Sequence, residues 1–567
     1  MDNREILERF KDGSLDRRDT AALLGRTPPL PYAPPAPADH LPGAAQRRDG
    51  YAVVGVGGRY PQAPDIASFW HNALAGHRTR GAAAAGRGNG SPGRPGHALD
   101  RIDEFDPEFF GLADEDGALC DPQERLFLET AWQTMESAGY LGARLDALVP
   151  AAGGEPRGVG VWVGASSSDY ALLTAAHAPG HGPGTSRTGH WSLPDRLSRL
   201  LDLRGPSQAV DTADSSFLAA LHLALASLRA GECAAALVGA VELRLHPARH
   251  TADGGEGVGV VLLRPLAQAE ADGDTVHAVI RTSTMGRSAG GVTDGITLHE
   301  TKESVAAAVG DAGAAVGAAA LTRAVLQLRE GTRAPVADGD SAQPWTDEPR
   351  RASVSVRGAG GVVAQVVVEQ YLPDAAEPVH GPAPSPHGEE LILLSAPSPA
   401  HLAATAARLA GELRTRQPEL GAVAHALRSG RAAMPCRLAV VARTTPRLAE
   451  VLSLFAEGRD GEVTGYGDEA AEGTAATAED TTATAEEVGT PVVRAVDLRG
   501  GRPDPLLLTG LPETREYLAG LWRANRTEQL ARLWLFGVDV SAAAKGSVVS
   551  LPGTALLRRP LWIGRDG

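Results

Sequence analysis

The six residues Asp211–Ser216, which read DTADSS, include the side chain best placed to do chemistry. The segment RGPSQAVDTA leads into them and the apolar run FLAALHLALASL follows. This pattern predicts a strand, a sharp turn and a helix, with Asp214 at the helix N-terminus. Enzymes place nucleophiles on turns of this kind, so the carboxylate found here needs an explanation.

Two roles are open for Asp214. Aspartate is among the best N-cap residues, because its carboxylate accepts a hydrogen bond from an amide of the first helical turn and complements the helix dipole. Alternatively, a carboxylate at the floor of a binding tunnel acts as an acid or a base on a bound chain. The second role requires a pocket that is partly shielded from water.

The composition indicates a soluble globular protein of more than one domain. The chain has 567 residues, of which 43% are hydrophobic and 22% are charged, and this length exceeds what one core organises. The net charge of −15 argues against a nucleic-acid or anionic-membrane partner. The N-terminus lacks an apolar signal core, and the sequence has no run of apolar residues long enough for a membrane span. We therefore expect a cytoplasmic protein.

The sequence offers little for a metal or a cofactor. Cys120, Cys233 and Cys436 lie far apart, without the spacing of metal ligands or of a disulfide framework. The segment YAVVGVGGRYP predicts a buried strand and a glycine turn, but no dinucleotide fingerprint or phosphate loop follows it. We expect neither a metal nor a cofactor.

Strands that are apolar on both faces alternate with helices along most of the chain, which predicts an α/β fold with covered sheets. The predicted organisation has six parts. They are a short helical leader at 1–26, a Pro-rich linker at 27–50, a large α/β domain at 51–373, a small αβ subdomain at 388–465, an Ala/Thr/Glu-rich insert at 466–490 that we expect to be disordered, and a closing segment at 491–567 that ends in a strap. The leader is either a capping hairpin or an interaction element.

Seven stretches in residues 51–372 together resemble one family. They are VVGVGGRYP, FDPEFFGL, DPQERLFLETAWQTMESAGY, GVWVGASSSDY, LDLRGPSQAVDTADSS, GECAAALVGAVEL and ADGGEGVGVVLLRPLAQAEADGD. In this order they resemble the β-ketoacyl synthase (ketosynthase) domain of a modular type I polyketide synthase. The leader is similar to that of ketosynthases that work with separate acyltransferases, and the ending LWLFGVDV…SLPGTALLRRPLWI resembles their linker and post-linker strap.

The resemblance implies a thiolase-like fold of two βαβ halves, layered αβαβα, followed by a small αβ linker subdomain. Several tens of residues are missing between GRSAGGVTDG and GDAGAAVG, so we expect the second half to be shortened. It also implies two partners. One is an acyl carrier protein with a phosphopantetheine-bound acyl chain, and the other is a second copy of the chain or an active ketosynthase.

The family's catalytic residues do not carry over. Asp214 stands where the resemblance places the nucleophilic cysteine, and Asp311 stands where it places the second catalytic histidine. The lysine usually found a few residues upstream falls on Ala306. The motif of the first histidine is not recognisable: His299, in LHETK, is either its remnant or a surface histidine.

The glycine-rich turn of the family has changed as well. This chain reads GAGGVVAQ there, with Val363 and Gln365 in place of a polar pair and Arg357 in place of a gating aromatic residue. The sequence therefore predicts a catalytically degenerate ketosynthase that does not condense. It serves as a scaffold, a carrier-docking domain or a dimerisation domain, or it is a repurposed enzyme that dehydrates, isomerises or hydrolyses a carrier-bound chain with Asp214 as acid or base.

Overall fold

The computed structural model describes residues 50–79, 96–177, 189–287, 295–336, 339–373, 388–459, 493–500, 511–541 and 549–563, together with residues 9, 11, 12 and 14. The chain divides into two compact units, residues 1–48 and residues 49–567, and the strands and helices named below belong to the second. The predicted leader and Pro-rich linker, apart from residues 9, 11, 12, 14 and 50, and the insert at 466–490 lie outside the described residues.

The described strands are numbered in chain order. They are β1 (Tyr51–Arg59), β2 (Glu104–Phe105), β3 (Val159–Gly164), β4 (Ser207–Val210), β5 (Ala235–Glu242), β6 (Gly257–Pro265), β7 (Ala278–Gly286), β8 (Leu298–Glu300), β9 (Thr332–Arg333), β10 (Gln343–Pro344), β11 (Arg351–Arg357), β12 (Val363–Glu369), β13 (Glu390–Ala396), β14 (Cys436–Ala442), β15 (Val493–Asp497) and β16 (Arg559–Pro560).

The described α-helices are numbered in the same way. They are α1 (Ile66–Leu74), α2 (Asp114–Leu119), α3 (Pro122–Ser137), α4 (Ala143–Asp146), α5 (Asp169–His177), α6 (Ser192–Leu200), α7 (Ser216–Ala230), α8 (Leu266–Ala271), α9 (Lys302–Val309), α10 (Val316–Glu330), α11 (Pro399–Arg416), α12 (Leu420–Gly430), α13 (Thr445–Ala456), α14 (Pro512–Arg523) and α15 (Thr527–Leu535).

The first half and the second half of the large domain share one continuous sheet. Its strand order is β4-β3-β5-β6-β1-β7-β12-β11-β8. The first five strands form one half and the last four form the other. They join where Tyr51 to Val53 of β1 pair antiparallel with Ile280 to Ala278 of β7.

Two helices form a central layer between the halves. The apolar run of α7 packs on β3 and β5, and the run of α10 packs on β11. Both helices are buried along most of their length in one core with the facing strands, as expected for helices that are hydrophobic all round. Helix α3 covers the opposite face of the first half and is the centre of a second core.

The far face of the second half is polar. Strand register places His299, Ser353, Val367 and Thr282 in one row of this face, and Ser355, Gln365 and Thr284 in the next, so Val367 is the one apolar residue of the two rows. The described helices with the main contacts to these strands are α7, α9 and α10, which lie on the central side. The two halves around a central helix layer agree with the predicted thiolase-like fold. Among the described residues, the second half has four strands where the first has five, and the helices with its main contacts lie on the central side, so the outer helix layer of the predicted αβαβα arrangement is not seen there.

A smaller sheet, β13-β14-β15, follows the large domain. Helices α11, α12 and α13 pack on one face and α14 and α15 on the other, each with its own core. The final strap, residues 549–563, returns to the large domain. There Thr554 donates to the buried Glu136, and the buried Arg125 donates to the carbonyl of Leu561 at 2.8 Å. None of the helices in the described ranges is both long and apolar enough to cross a bilayer.

Candidate functional site

The turn that carries Asp214 is a short 3-10 segment, Ala213–Ser215, directly before α7. Ala213 has a φ of 54°, a left-handed conformation that is unusual for alanine. Hydroxyl groups hold the turn: Ser216 accepts from the amide of Thr212 at 2.9 Å and donates to the carbonyl of Ala213 at 2.6 Å. The predicted strand, turn and helix are all present.

The N-cap role of Asp214 is wrong. Ser215 occupies the N-cap position of α7, without a side-chain capping bond. The Asp214 carboxylate instead accepts a hydrogen bond from Lys302 Nζ at 2.6 Å. The carboxylate pairs with Lys302 and not with an amide of the helix, because an ionic hydrogen bond is stronger than one from a neutral amide.

Lys302 joins Asp214 and Asp311, the two aspartates for which the sequence resemblance predicts catalytic positions. Its Nζ lies 2.5 Å from Asp311 Oδ1 as well as 2.6 Å from Asp214 Oδ2. Arg244 completes the cluster, since it lies 3.2 Å from Asp311 Oδ2 and donates to the Asp311 carbonyl at 2.7 Å. We call these four residues the ion cluster. Its two cations and two carboxylates balance in charge.

The pKa values within the ion cluster follow from this pairing. Burial lowers the pKa of Lys302, but the hydrogen bonds and charges of Asp214 and Asp311 outweigh burial and leave the pKa above its usual value. Burial raises the pKa of Asp311, but Lys302 and Arg244 outweigh it and leave the pKa below its usual value. Near neutral pH, Lys302 is therefore an ammonium group and Asp311 a carboxylate.

Lys302 reaches the site because of the elements around it. Strand β8 pairs in parallel with β11, as β3 pairs with β5 in the first half. Lys302 is the first residue of α9, directly after β8, and a capping box between Thr301 and Ser304 fixes this helix start. Ala306, the predicted lysine position, lies one turn further along the same helix.

A short backbone ladder fixes Asp311 next to a histidine that sequence reasoning missed. His97 bridges Gly255, and Gly254 bridges Asp311. The amide of Asp311 donates to the carbonyl of Asp253 at 2.8 Å, and the amide of Gly255 donates to the carbonyl of Asp311 at 3.0 Å. The sequence carries no spacing signal for this ladder, because its three segments are far apart in the chain.

Beneath the ladder, Glu242 at the end of β5 is fully buried. Burial raises the pKa of the Glu242 carboxyl group, and the charge of Arg249 and the hydrogen bond from Ser166 offset only part of this rise. It contacts Arg249 at 2.6 Å and accepts from the amide of Ala314 at 3.4 Å. Gly313 has a φ of 46°, and a Cβ there would lie 2.8 Å from the Glu242 carboxylate. The segment after Asp311 is thus packed directly onto a second ion pair.

A pocket of about 310 Å³ lies against the ion cluster. Its lining residues come from α9, the ladder and the end of the segment after α1: Arg78, His97, Asp253, Lys302, Ala306, Ala307, Gly310 and Asp311. Asp214 is not among them. The pocket therefore meets the ion cluster on the side of Lys302 and Asp311.

The fold does not place His299 beside Asp214 and Asp311. It is exposed on β8, and its Nδ1 hydrogen-bonds to Ser353 Oγ at 2.7 Å on the far face of the sheet. The LHETK segment does lead into the site, but Lys302 is the residue that arrives there. Arg357 is exposed at the end of β11, and Gln365 is half-buried on β12.

The cysteines offer no second nucleophile. All three are free and buried, and burial raises the pKa of Cys233 to about 12. A thiol of that kind is a poor nucleophile at neutral pH. Among the residues that the structure describes, no three His, Cys, Asp or Glu side chains are grouped to hold a metal ion.

Comparison with known proteins agrees with this architecture. Residues 51–254 match the family model for the Beta-ketoacyl synthase, N-terminal domain, and residues 393–459 match that for the RhiE-like, KS-MAT linker domain. Polyketide synthase PksM of Bacillus subtilis strain 168 is 30% identical over 547 residues, covering 75% of this chain and 13% of PksM. Polyketide synthase ThaQ of Burkholderia thailandensis is 32% identical over 549 residues, covering 75% of this chain and 25% of ThaQ. The chain thus spans a quarter or less of these two relatives.

Solved ketosynthase domains have the same fold. The oxazolomycin ketosynthase domain OzmH KS7 of Streptomyces albus JA3453 superposes with a TM-score of 0.69 at 27% identity, covering 91% of this chain and 99% of that one. The ketosynthase from module 1 of the bacillaene synthase of Bacillus amyloliquefaciens FZB42 superposes with a TM-score of 0.70 at 22% identity, covering 91% and 100%. The chain has the thiolase-like ketosynthase fold and belongs with the ketosynthase domains of modular polyketide synthases.

Proposed function

We propose that this chain is a non-condensing ketosynthase of a polyketide assembly line, retained to dimerise and to dock carrier proteins. The main support for this proposal is the ion cluster. At the positions where the resemblance places a nucleophilic cysteine and a catalytic histidine, Asp214 and Asp311 are bound to one ammonium group, that of Lys302.

The chemistry of condensation supports this proposal. A ketosynthase needs a thiolate that accepts the acyl chain and imidazoles that assist decarboxylation of the malonyl unit. Acylation of Asp214 would produce a mixed anhydride, which is too reactive to hold a chain. Lys302 also holds one oxygen of this carboxylate in an ionic hydrogen bond, which makes the carboxylate a weaker nucleophile.

The edge of the sheet supports self-association. Strand β4 ends the sheet and pairs with β3 on one side only among the described strands. The carbonyls of Pro206 and Val210 accept hydrogen bonds on the side of β3. Because successive residues of a strand direct their backbone N–H and C=O groups to opposite sides, those of Ser207 and Ala209 face outward. An open edge with outward N–H and C=O groups is a template for a second strand, and a two-fold axis makes the same edge of a second copy its natural partner.

The other parts of the proposal rest on the family. The partners are an acyl carrier protein with a phosphopantetheine-bound chain and either a second copy of this chain or an active ketosynthase. The assembly line is of the kind that uses separate acyltransferases, and the location is the cytoplasm. No cofactor takes part in the proposed role.

The alternative, a repurposed enzyme with Asp214 as acid or base, takes second place. Asp214 does not line the pocket, and Lys302 occupies one of its carboxylate oxygens. An acid or base must reach the proton that it transfers.

One experiment with two measurements tests both parts of the proposal, the absence of condensation and the binding of carrier proteins. The purified chain is incubated with acyl- and malonyl-loaded carrier proteins. Mass spectrometry of the carriers reports condensation, and light scattering or calorimetry reports binding. We expect carrier binding without β-ketoacyl product. A product would overturn the non-condensing assignment, and the absence of binding would overturn the docking role.

A further inference from the structure

We propose that Gln208 selects a second copy of this chain as the partner of the open sheet edge. This inference rests on the proposed dimerisation and deepens it, because it names the residue that lies on the two-fold axis and the contact that it makes there. It follows from three features of the edge: the hydrogen-bond pattern of β4, the fixed amide of Gln208 and the apolar surface of the flanking helices.

The hydrogen-bond pattern of β4 restricts where a two-fold axis can lie. Backbone groups face outward at Ser207 and Ala209, whereas those of Pro206 and Val210 face β3. In an antiparallel pair, an outward residue of one copy must lie opposite an outward residue of the other. An axis at Gln208 meets this condition, since it places Ser207 opposite Ala209 of the second copy. Gln208 then lies directly opposite the same residue of that copy.

The neighbouring registers reach beyond the strand. An axis at Ala209 would pair Ser207 with Asp211 of the second copy. An axis at Ser207 would pair Ala209 with Gly205 of the second copy. Strand β4 includes neither Gly205 nor Asp211, and the Asp211 carboxylate accepts from a backbone amide of the turn before α7 at 3.1 Å. The axis at Gln208 is therefore the one that uses strand residues alone.

The amide of Gln208 is held in one orientation. Gln208 lies beside Trp162 of β3, and the indole N–H of the buried Trp162 donates to Gln208 Oε1 at 3.2 Å. An indole N–H is a donor only, so the amide oxygen must face it. Gln208 Nε2 is thus directed away from Trp162, and it donates to none of the residues that the structure describes. Because Gln208 is exposed, these donors are available to a partner.

Two copies of Gln208 complement each other across the axis. Directly opposite residues of an antiparallel pair have their Cβ atoms about 4.5–5.5 Å apart on one face. Each amide oxygen accepts two hydrogen bonds, one from its own Trp162 and one from Nε2 of the other copy. A partner strand with an apolar residue here would leave the Nε2 donors without an acceptor, which weakens binding. Gln208 therefore favours a second copy over a ketosynthase that is apolar at this position.

The helices on the two faces of β4 add apolar surface. Helix α6 packs on one face and belongs to the core around α3, and α7 packs on the other face in the central layer. Leu200 of α6 is 38% exposed, and Leu223 of α7 is 39% exposed. A second copy that pairs along β4 brings the flanking helices towards their counterparts and shields apolar area of this kind from water.

Disulfide cross-linking measures the register. The three native cysteines are free and buried, so an introduced cysteine is the accessible thiol of the edge. Gln208→Cys should form a disulfide-linked dimer, because directly opposite Cα atoms lie about 4.5–5.5 Å apart, within disulfide reach. Ser207→Cys and Ala209→Cys are matched controls on the same strand. Each lies diagonal to its counterpart, at about 8 Å, and should stay unlinked.

An exchange of charge tests the selection. Gln208→Glu keeps an acceptor for the Trp162 indole but sets two carboxylates opposite each other, so the dissociation constant of the dimer should rise at least about tenfold. Gln529→Glu makes the same change at an exposed position of α15 and should leave the dimer unchanged. Mixing the Gln208→Glu chain with a Gln208→Lys chain should restore a dimer, because opposite charges then meet at the axis. Circular dichroism checks that each variant folds.

Light scattering of the wild-type chain shows first whether a dimer exists. A monomer would overturn the proposed dimerisation and this inference with it. A dimer in which Gln208→Cys stays unlinked, or in which Ala209→Cys becomes linked instead, would overturn the inference alone. An unchanged dissociation constant of the Gln208→Glu dimer would do the same.

Discussion

Lys302 separates two carboxylates that would otherwise repel each other. The exposed fractions of the three side chains are 28% for Asp214, 33% for Lys302 and 40% for Asp311. Water therefore screens the cluster, and its net contribution to stability stays near that of a surface ion pair. Its main effect is on the reactivity of Asp214, because it holds one oxygen of that carboxylate in an ionic hydrogen bond.

Removal of the Lys302 ammonium group should measurably lower the free energy of unfolding. Lys302→Met leaves Asp214 and Asp311 without their shared cation, so we expect the free energy of unfolding to fall by about 1 kcal/mol. Urea denaturation measures the change. The double variant Lys302→Met with Asp214→Asn should recover part of the loss, because one of the repelling charges is gone. If the double variant loses as much as the two single changes added together, the two residues are not coupled.

The pH dependence follows from the shifted pKa values. The pKa of Asp311 is below its usual value in the folded chain, so its contribution is fully present above the ordinary aspartate pKa of about 3.9 and is lost as the pH falls through the lower, folded value. The pKa of Lys302 is raised, so its contribution is fully present below about 10.4 and is lost as the pH rises through the higher, folded value.

We expect the free energy of unfolding of the wild-type chain to exceed that of Asp311→Asn by an amount that stays constant from about pH 5 to about pH 9. The gap in the free energy of unfolding should shrink as the pH falls below about 4. Urea denaturation at three or four pH values measures it. A gap that persists unchanged into acid would show that the Asp311 charge is not what stabilises the fold.

At the scale of elements, the hairpin between β11 and β12 presses on the turn that carries Asp214. A Cβ on Gly358 would lie 2.2 Å from Ser215 Oγ and 2.4 Å from the carbonyl oxygen of Thr212. Real Cβ atoms do not approach that closely, so only a glycine fits between the hairpin and the turn. The glycine-rich turn therefore packs directly against the turn that carries Asp214.

Gly358→Ala should therefore destabilise the chain by about 1–3 kcal/mol, as overpacking does in a tight core. Gly411→Ala is the matched control. It lies inside α11 with nothing within 4 Å of the added Cβ, and alanine there should stabilise the helix by up to about 1 kcal/mol. Thermal denaturation measures both. Equal effects of the two substitutions would contradict the close packing at Gly358.

The sequence predicts the local elements of the site better than its contacts. The turn at Asp214 and the position of Asp311 follow from motifs that keep their order along the chain. Lys302 was missed, because its contact with Asp214 spans 88 residues and joins the two halves of the sheet. The one signal was the lysine of LHETK, one helical turn before the alanine at 306. His97 left no signal, since a backbone ladder alone brings it to Asp311.

In the whole molecule, buried carboxylates of the large domain bind both the linker subdomain and the strap. Asp106 accepts from His401 Nε2 at 2.7 Å, Glu129 accepts from Arg558 at 2.9 Å, and Glu136 lies 2.5 Å from Arg431. Each is buried and paired, so loss of one partner would leave an uncompensated charge. The linker subdomain, the strap and the ketosynthase fold are therefore held together as one unit.

Dimerisation should depend on the outward backbone of β4. We expect light scattering to give about 117 kDa, twice the 58.7 kDa of one chain. Ala209→Pro removes an outward N–H group and should give the monomer mass, because proline cannot donate across an edge. Ala209→Val keeps the N–H group and should remain dimeric. A wild-type monomer at micromolar concentration would leave only an active ketosynthase as the partner of this edge.

Intact-mass spectrometry of the chain after exposure to acyl thioesters shows directly whether Asp214 accepts an acyl group. If Lys302 engages the carboxylate at the nucleophile position, the wild-type mass will not change, and Asp214→Cys will gain at most one acyl group without forming a β-ketoacyl product. An acyl adduct on wild-type Asp214, or a β-ketoacyl product from Asp214→Cys alone, would contradict the account.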